Sequence, residues 1–112
     1  MVIVMIKPIN TNIVYKFKNN TEKRYAQQLE LLRKSGNISS WTYECIKFKL
    51  GNGAWYTPDF VVTKEDVMEI HEIKGHWKEA AKVRIKVAST LYPQFRWMAV
   101  YWKKKRWIYE EF

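Results

Sequence analysis

The sequence predicts one mixed α/β domain of α+β type, in the order helix, three strands, helix, two strands. Three observations lead there. Apolar spacing switches between helical and alternating along the chain, Gly and Pro fall where those segments end, and no repeat or Pro/Gly/Ser-rich linker divides the 112 residues. A chain of this length removes roughly two-thirds of its unfolded surface from water. Its 47% apolar and 16% aromatic content is enough to build the single core this requires.

The run Met1 to Ile6 is apolar and is followed by Lys7-Pro8, too short for a signal-peptide core or a membrane span. It reads as a strand or anchoring arm within residues 1–15. The first helix runs from about Thr21 to Lys34, with Tyr25, Ala26, Leu29 and Leu32 at helical spacing, Asn19 or Thr21 as cap and Ser35-Gly36-Asn37 as stop.

From Trp41 to Leu50 the pattern alternates. Thr42, Glu44, Ile46, Phe48 and Leu50 share one face, and Trp41, Tyr43, Cys45, Lys47 and Lys49 the other. Gly51-Asn52-Gly53 supplies positive-φ residues for a reversal, and Ala54 to Thr63 returns as the second strand of a hairpin. A third strand, Val67 to Lys74, ends at Gly75. It sets Met68, Ile70, Glu72 and Lys74 on one side, with His71 opposite and without an assigned role. A second helix, about Lys78 to Tyr92, has Ala81, Ile85, Ala88 and Tyr92 on its apolar face and Lys78, Lys82 and Lys86 along another. Phe95 to Trp102 is a further strand. Lys103-Lys104-Lys105-Arg106 separates it from a short strand at Trp107 to Tyr109, so residues 102–112 form a basic turn and a C-terminal strand.

Charge narrows the function. Lys and Arg number 20 against 11 Asp and Glu, a formal net charge of +9, and six Trp and seven Tyr accompany them. Basic side chains release counterions from phosphates and aromatic faces stack on bases, so a polyanionic partner is expected. Cys45 is the only cysteine, which excludes an intramolecular disulfide and a zinc site of several thiolates and fits an intracellular compartment. No Walker-type phosphate loop is present.

Acids interrupt the apolar faces: Glu72 beside Met68 and Ile70, Glu44 amid Ile46 and Phe48, and Asp59 aligned with Val61. Desolvating lone carboxylates costs several kcal/mol, so they are expected to be paired, protonated or coordinating a cation. Glu22 on the first helix is a fourth candidate, although Asn19-x-x-Glu22 also has the spacing of a capping box. Other readings stand beside these: an exposed ion pair for Glu72 and Lys74, a turn-capping residue for Asp59, a solvated face for the lysines.

Pro58-Asp59, twelve intervening residues, then Glu72-Ile73-Lys74 resembles the PD-(D/E)xK motif of metal-dependent nucleases. With Asn-Thr-Glu-Lys-Arg-Tyr-Ala around Glu22 and Trp-Tyr-Thr-Pro-Asp-Phe around Asp59, residues 16–101 resemble small phage-encoded Holliday junction resolvases and phage endonuclease I. The resemblance implies a restriction-endonuclease-like core, helix-strand-strand-strand-helix-strand, within a single nuclease domain. It also implies a Mg²⁺-dependent endonuclease that cuts branched or double-stranded DNA in recombination and leaves 5'-phosphate ends.

Asp59 and Glu72 would be ligands of Mg²⁺, or of Mn²⁺ in its place, with the backbone carbonyl of Ile73 and with Glu22 directly or through water. Lys74 would orient or help deprotonate the attacking water, and Glu44 and Lys82 would be accessory. Lys82, Lys86, Lys103, Lys104, Lys105 and Arg106 are the expected phosphate contacts. A four-way junction has near two-fold symmetry, so a homodimer is expected. No membrane partner is expected, and a phage-encoded chain would act in the host cytoplasm. His76 follows the motif directly but lacks the partners of an HNH-type site.

Overall fold

The structure, a computed structural model, describes residues 2–6, 15–75 and 79–112. His76 and Lys78 lie outside the described residues. Among the described residues, two helices and two sheets make up a mixed α/β architecture: β1 (Ile3–Met5), α1 (Asn20–Lys34), β2 (Ser40–Tyr43), β3 (Ile46–Gly51), β4 (Ala54–Tyr56), β5 (Phe60–Lys64), β6 (Val67–Ile73), α2 (Glu79–Leu91), β7 (Arg96–Lys103) and β8 (Arg106–Glu111). The sheets are ordered β1-β3-β4 and β2-β5-β6-β7-β8. β6 and β7 pair in parallel, and α2 is the crossover that such a pair needs.

Helix α1 starts where Asn19, in extended backbone, accepts the Glu22 N–H through its side chain at 2.8 Å. It ends in a Schellman pattern: Gly36 at φ +84° donates to the Arg33 carbonyl and Asn37 to that of Leu32.

The long hairpin differs from the sequence expectation. Its first strand is not continuous from Trp41 to Leu50 but breaks at Glu44-Cys45, and its second breaks at Thr57-Pro58-Asp59. Glu44 takes the left-handed conformation at φ +50°, and Pro58 has no N–H to donate, so both strands leave one sheet at the same level and enter the other. Alternation restarts after the break, which puts Cys45 in the same buried cluster as Ile46 and Phe48 rather than on the opposite face. Of the turn residues Gly51-Asn52-Gly53, Gly53 alone has positive φ. The C-terminal strand is longer than expected. Lys103 and Arg106 pair across a two-residue turn, and residue 102 lies within β7.

The two helices face separate cores on the five-stranded sheet. On the α2 side, Ile85, Ala88 and Tyr92 pack with Val61, Ile70 and Trp97, joined by Ile46, Phe48 and Tyr56 of the smaller sheet. On the α1 side, Tyr25, Ala26 and Leu29 pack with Tyr43, Phe60, Val62, Ile73 and Val100. Each large side chain fully buried this way contributes about 1.5–3 kcal/mol. The Tyr92 hydroxyl lies 2.6 Å from the Lys49 carbonyl and 2.8 Å from that of Val2, which ties the smaller sheet to the end of α2.

The α1 face also carries a buried polar chain. Tyr25 Oη meets His71 Nδ1 at 2.6 Å, His71 Nε2 meets Glu69 Oε1 at 2.9 Å, and Arg96 donates to Glu69 Oε2 at 3.1 Å and to both Glu111 oxygens. His71 thus has a packing role. Hydrogen bonding from His71 holds the Glu69 carboxyl below its usual range against burial, which pushes it up, and Arg96 and Lys64 add to the lowering. The fold therefore favours ionised Glu69. That contribution is complete above the ordinary glutamate pKa of about 4.3 and is lost as pH falls through the lower folded value. Glu69→Gln is expected to cost about 1–3 kcal/mol at neutral pH and to flatten the loss of stability below about pH 4. Identical acid-unfolding curves for variant and wild type would contradict this.

Candidate active site

The break in the hairpin builds the site. Tyr43, Phe60, His71 and Met98 form the last complete row across β2, β5, β6 and β7. The next row is Glu44, Asp59, Glu72 and Ala99. Glu44 N–H still donates to the Asp59 carbonyl at 2.8 Å, but between β5 and β6 side chains replace the ladder. Asp59 N–H donates to Glu72 Oε1 at 2.9 Å, and Ile73 N–H donates to Asp59 Oδ2 at 2.9 Å. Each carboxylate is thus held by a backbone amide of the facing segment, Glu72 by that of Asp59 and Asp59 by that of Ile73, with Asp59 4% and Glu72 7% exposed.

Glu22 reaches the same place from α1. Its carboxylate accepts from the Tyr43 hydroxyl and from Asn19 Nδ2 at 3.3 Å. The first half of the capping box is formed, by Glu22 N–H on Asn19. The Glu22 side chain does not complete it on the cap's backbone but faces the acid row.

Lys18 Nζ stands among three of the acids, 3.2 Å from Glu44 Oε2, 3.5 Å from Asp59 Oδ1 and 4.0 Å from Glu22 Oε2. Lys74, just past β6, holds Glu72 Oε2 at 3.4 Å. Four carboxylates adjoin these two ammonium groups. Burial is the largest cause of the titration shifts of the buried acids. Burial, then Glu72, pushes the Asp59 carboxyl well up, although the Ile73 amide and Lys18 pull it down. Burial also raises Glu22, opposed by Tyr43. Burial pulls Lys18 down, but Asp59, Glu44 and Glu22 outweigh it and hold its ammonium above lysine's range. The Tyr56 hydroxyl is pushed far up by burial and by Glu72 and Asp59.

The structure thus brings together Glu22, Glu44, Asp59, Glu72 and Lys74. Among the described residues no three His, Cys, Asp or Glu side chains are grouped so as to hold a metal ion. The three acids share the Lys18 ammonium instead. As a donor set they fit a hard divalent cation, because oxygens are its preferred ligands. Ile73 contributes its N–H to Asp59, so the residue expected to serve through its carbonyl also positions a carboxylate.

Lys82 is half-buried and Lys86 exposed on α2, and from the same helix the Arg84 guanidinium lies 5.7 Å from the Tyr56 ring. Lys103, Lys104, Lys105 and Arg106 are exposed at the β7–β8 tip, past the same end of the sheet as the acid row. Sequence reasoning missed Lys18, Tyr43, Tyr56 and Arg84. Lys18 carries one signal, its position four residues before Glu22, and nothing in composition separates it from the other basic residues.

A cavity of about 380 Å³ lies on the α1 face beside Tyr25, Glu69 and His71, not over the acids, and those polar groups already satisfy one another. No helix among the described residues is long and apolar enough to cross a membrane. The chain matches no protein-family model, no curated protein and no solved structure.

Lys18 pairs three of the acids, and its side chain is 58% exposed. Lys18→Met is expected to destabilise the metal-free protein by on the order of 1 kcal/mol, screened by solvent, and so to lower its melting temperature. Mg²⁺ is expected to raise the variant's melting temperature more than the wild type's, because a ligand bound only by the folded state stabilises it. Calorimetric scans in EDTA and in Mg²⁺ that coincide for both proteins would contradict this.

Proposed function

We propose that the protein is a metal-dependent, structure-selective DNA endonuclease of the PD-(D/E)xK type, similar to Holliday junction resolvases. One observation carries the reading: buried Asp59 and Glu72 lie side by side, held by the backbone amides of Ile73 and Asp59, with the Lys74 ammonium on Glu72. In this reading α1, the split hairpin, β6, α2 and β7 are the restriction-endonuclease-like core, with β1 and β8 added. The site would act in recombination inside the cell, in the host cytoplasm if phage-encoded, and a homodimer would present two sites to a two-fold junction.

Asp59 and Glu72 would hold the Mg²⁺, with Glu22 and the Ile73 carbonyl in support and Glu44 accessory. When bound, the ion supplies charge neutralisation at the scissile phosphate and a lowered pKa for the attacking water. The chain's own residues do the rest. Lys74, held by Glu72, orients the attacking water and stabilises the charge gained in the transition state. Lys18, already more than half exposed, gives up the carboxylates and turns its ammonium to the phosphate. Arg84, Lys82 and Lys86 on α2 and the Lys103–Arg106 tip hold the DNA backbone. The ends left are 5'-phosphate and 3'-hydroxyl.

The same chemistry would serve linear, nicked or flap DNA. A noncatalytic DNA-binding module is favoured by one feature, the Lys18 ammonium that already pairs three of the acids.

Labelled four-way, flap and linear DNA incubated with Mg²⁺ separates these readings. Paired nicks near the branch point are expected, abolished by EDTA and reduced at least about 10³-fold in Asp59→Asn and Glu72→Gln and about 10²-fold in Lys74→Ala. Metal-independent cutting, or none by the wild type, would contradict the reading; equal cutting of linear duplex would shift it to the broader substrate. Replacing Lys103 to Arg106 by Ser is expected to weaken binding to every DNA and to flatten the salt dependence by roughly 0.9 in log–log slope for each phosphate no longer neutralised. An unchanged slope would remove the tip from the interface.

A further inference from the structure

We propose that the turn end of the β7–β8 hairpin and the outer side of α1 form a stacking platform for a single unpaired DNA base; this rests on the DNA reading above and adds the feature that selects the substrate. Trp102 and Trp107 are cross-strand partners with ring centroids 4.8 Å apart at 59°. Trp102 is 38% exposed, and the Arg24 guanidinium lies 5.1 Å from its ring centroid. Around them is an open cavity of about 340 Å³ walled by Gln27, Gln28 and Lys105.

The tip above is a two-residue turn with Lys104 at φ +52° and Lys105 at φ +62°. That geometry suits Asn-Gly and is rarely adopted by lysine. Here both positions carry charge instead, and with Lys103 and Arg106 they make four consecutive cations beside the two indoles.

The chemistry points to a base. An indole face next to a planar cation accepts a planar π-system, and Gln amides can bond the edge of any base. Arg24, covering the ring in the free protein, is displaced toward the flanking phosphate. A second copy of this chain is disfavoured because a two-fold contact here would set like charges against each other. Bases inside a duplex are covered on both faces, so only an unpaired base, in a single strand or at a branch point, fits.

The position suits the proposed site. Glu72 pairs with Ala99 on the parallel strand, and Trp102 lies three residues further on. That is about 10 Å further along β7, on the α1 face of the sheet that Val100 and Trp107 share, at the same end as the acid row.

The test is a binding titration in EDTA, where cleavage is silent, by fluorescence anisotropy of a labelled 12-nucleotide oligothymidylate and of an abasic strand with the same phosphates. The wild type is expected to bind the oligothymidylate at least about tenfold tighter. Trp102→Ala is expected to bring it down to the abasic level, and Trp102→Phe, which retains a ring, to keep most of the difference; thermal melting checks that both variants fold. Equal affinity of the wild type for the two strands, or an undiminished difference in folded Trp102→Ala, would overturn the platform. Base discrimination without any Mg²⁺-dependent cutting would leave the platform standing and sink the nuclease reading. Cutting without discrimination would do the reverse, and no DNA binding at all would overturn both.

Discussion

The structure turns on the reciprocal lock between Asp59 and Glu72. At the row where β5 and β6 stop pairing, two backbone N–H groups remain near the buried edge, and the only acceptors given to them are these two carboxylates. Leaving such donors unmade costs about 1–3 kcal/mol each, so neither acid can swing away without a penalty. The same lock forces two like charges together out of water, and Lys18, Lys74 and the tyrosine hydroxyls offset only part of that repulsion. A sheet built for stability alone would have continued its ladder and filled the row with apolar side chains.

Helix α1 joins the features that depend on this row. Its inward side carries Glu22 to the acids and Tyr25, Ala26 and Leu29 to the core. Tyr25 further anchors the His71–Glu69–Arg96 chain, which fixes β6 against β7 just before the acids begin. Arg24, Gln27 and Gln28 sit on its outer side against the tryptophans of the β7–β8 hairpin. Charge at the acid row, order beneath it and aromatic surface beside it are set by one element whose ends are fixed by local caps.

Much of this was legible in the sequence, and what was hidden has a common cause. The helices and β6 follow from periodicity and punctuation, and the acids stood out because they violate the apolar faces of their strands. The hairpin break was illegible because Glu44 takes a left-handed conformation that its residue type does not advertise, and alternation reads smoothly across it. Lys18, Tyr43 and Tyr56 were missed because their roles exist only once distant segments meet. The length of β8 was missed because Glu110 and Glu111 look like a polar tail, yet Glu111 pairs with Arg96 across the sheet edge.

The most direct test of the central claim, that the acid row is a cation site, is anomalous diffraction from crystals grown with Mn²⁺. The account predicts a peak about 2 Å from carboxylate oxygens of both Asp59 and Glu72, with the Lys18 ammonium moved out of the cluster. Density for Lys18 still seated among Glu22, Glu44 and Asp59, with no anomalous peak beside them, would contradict it.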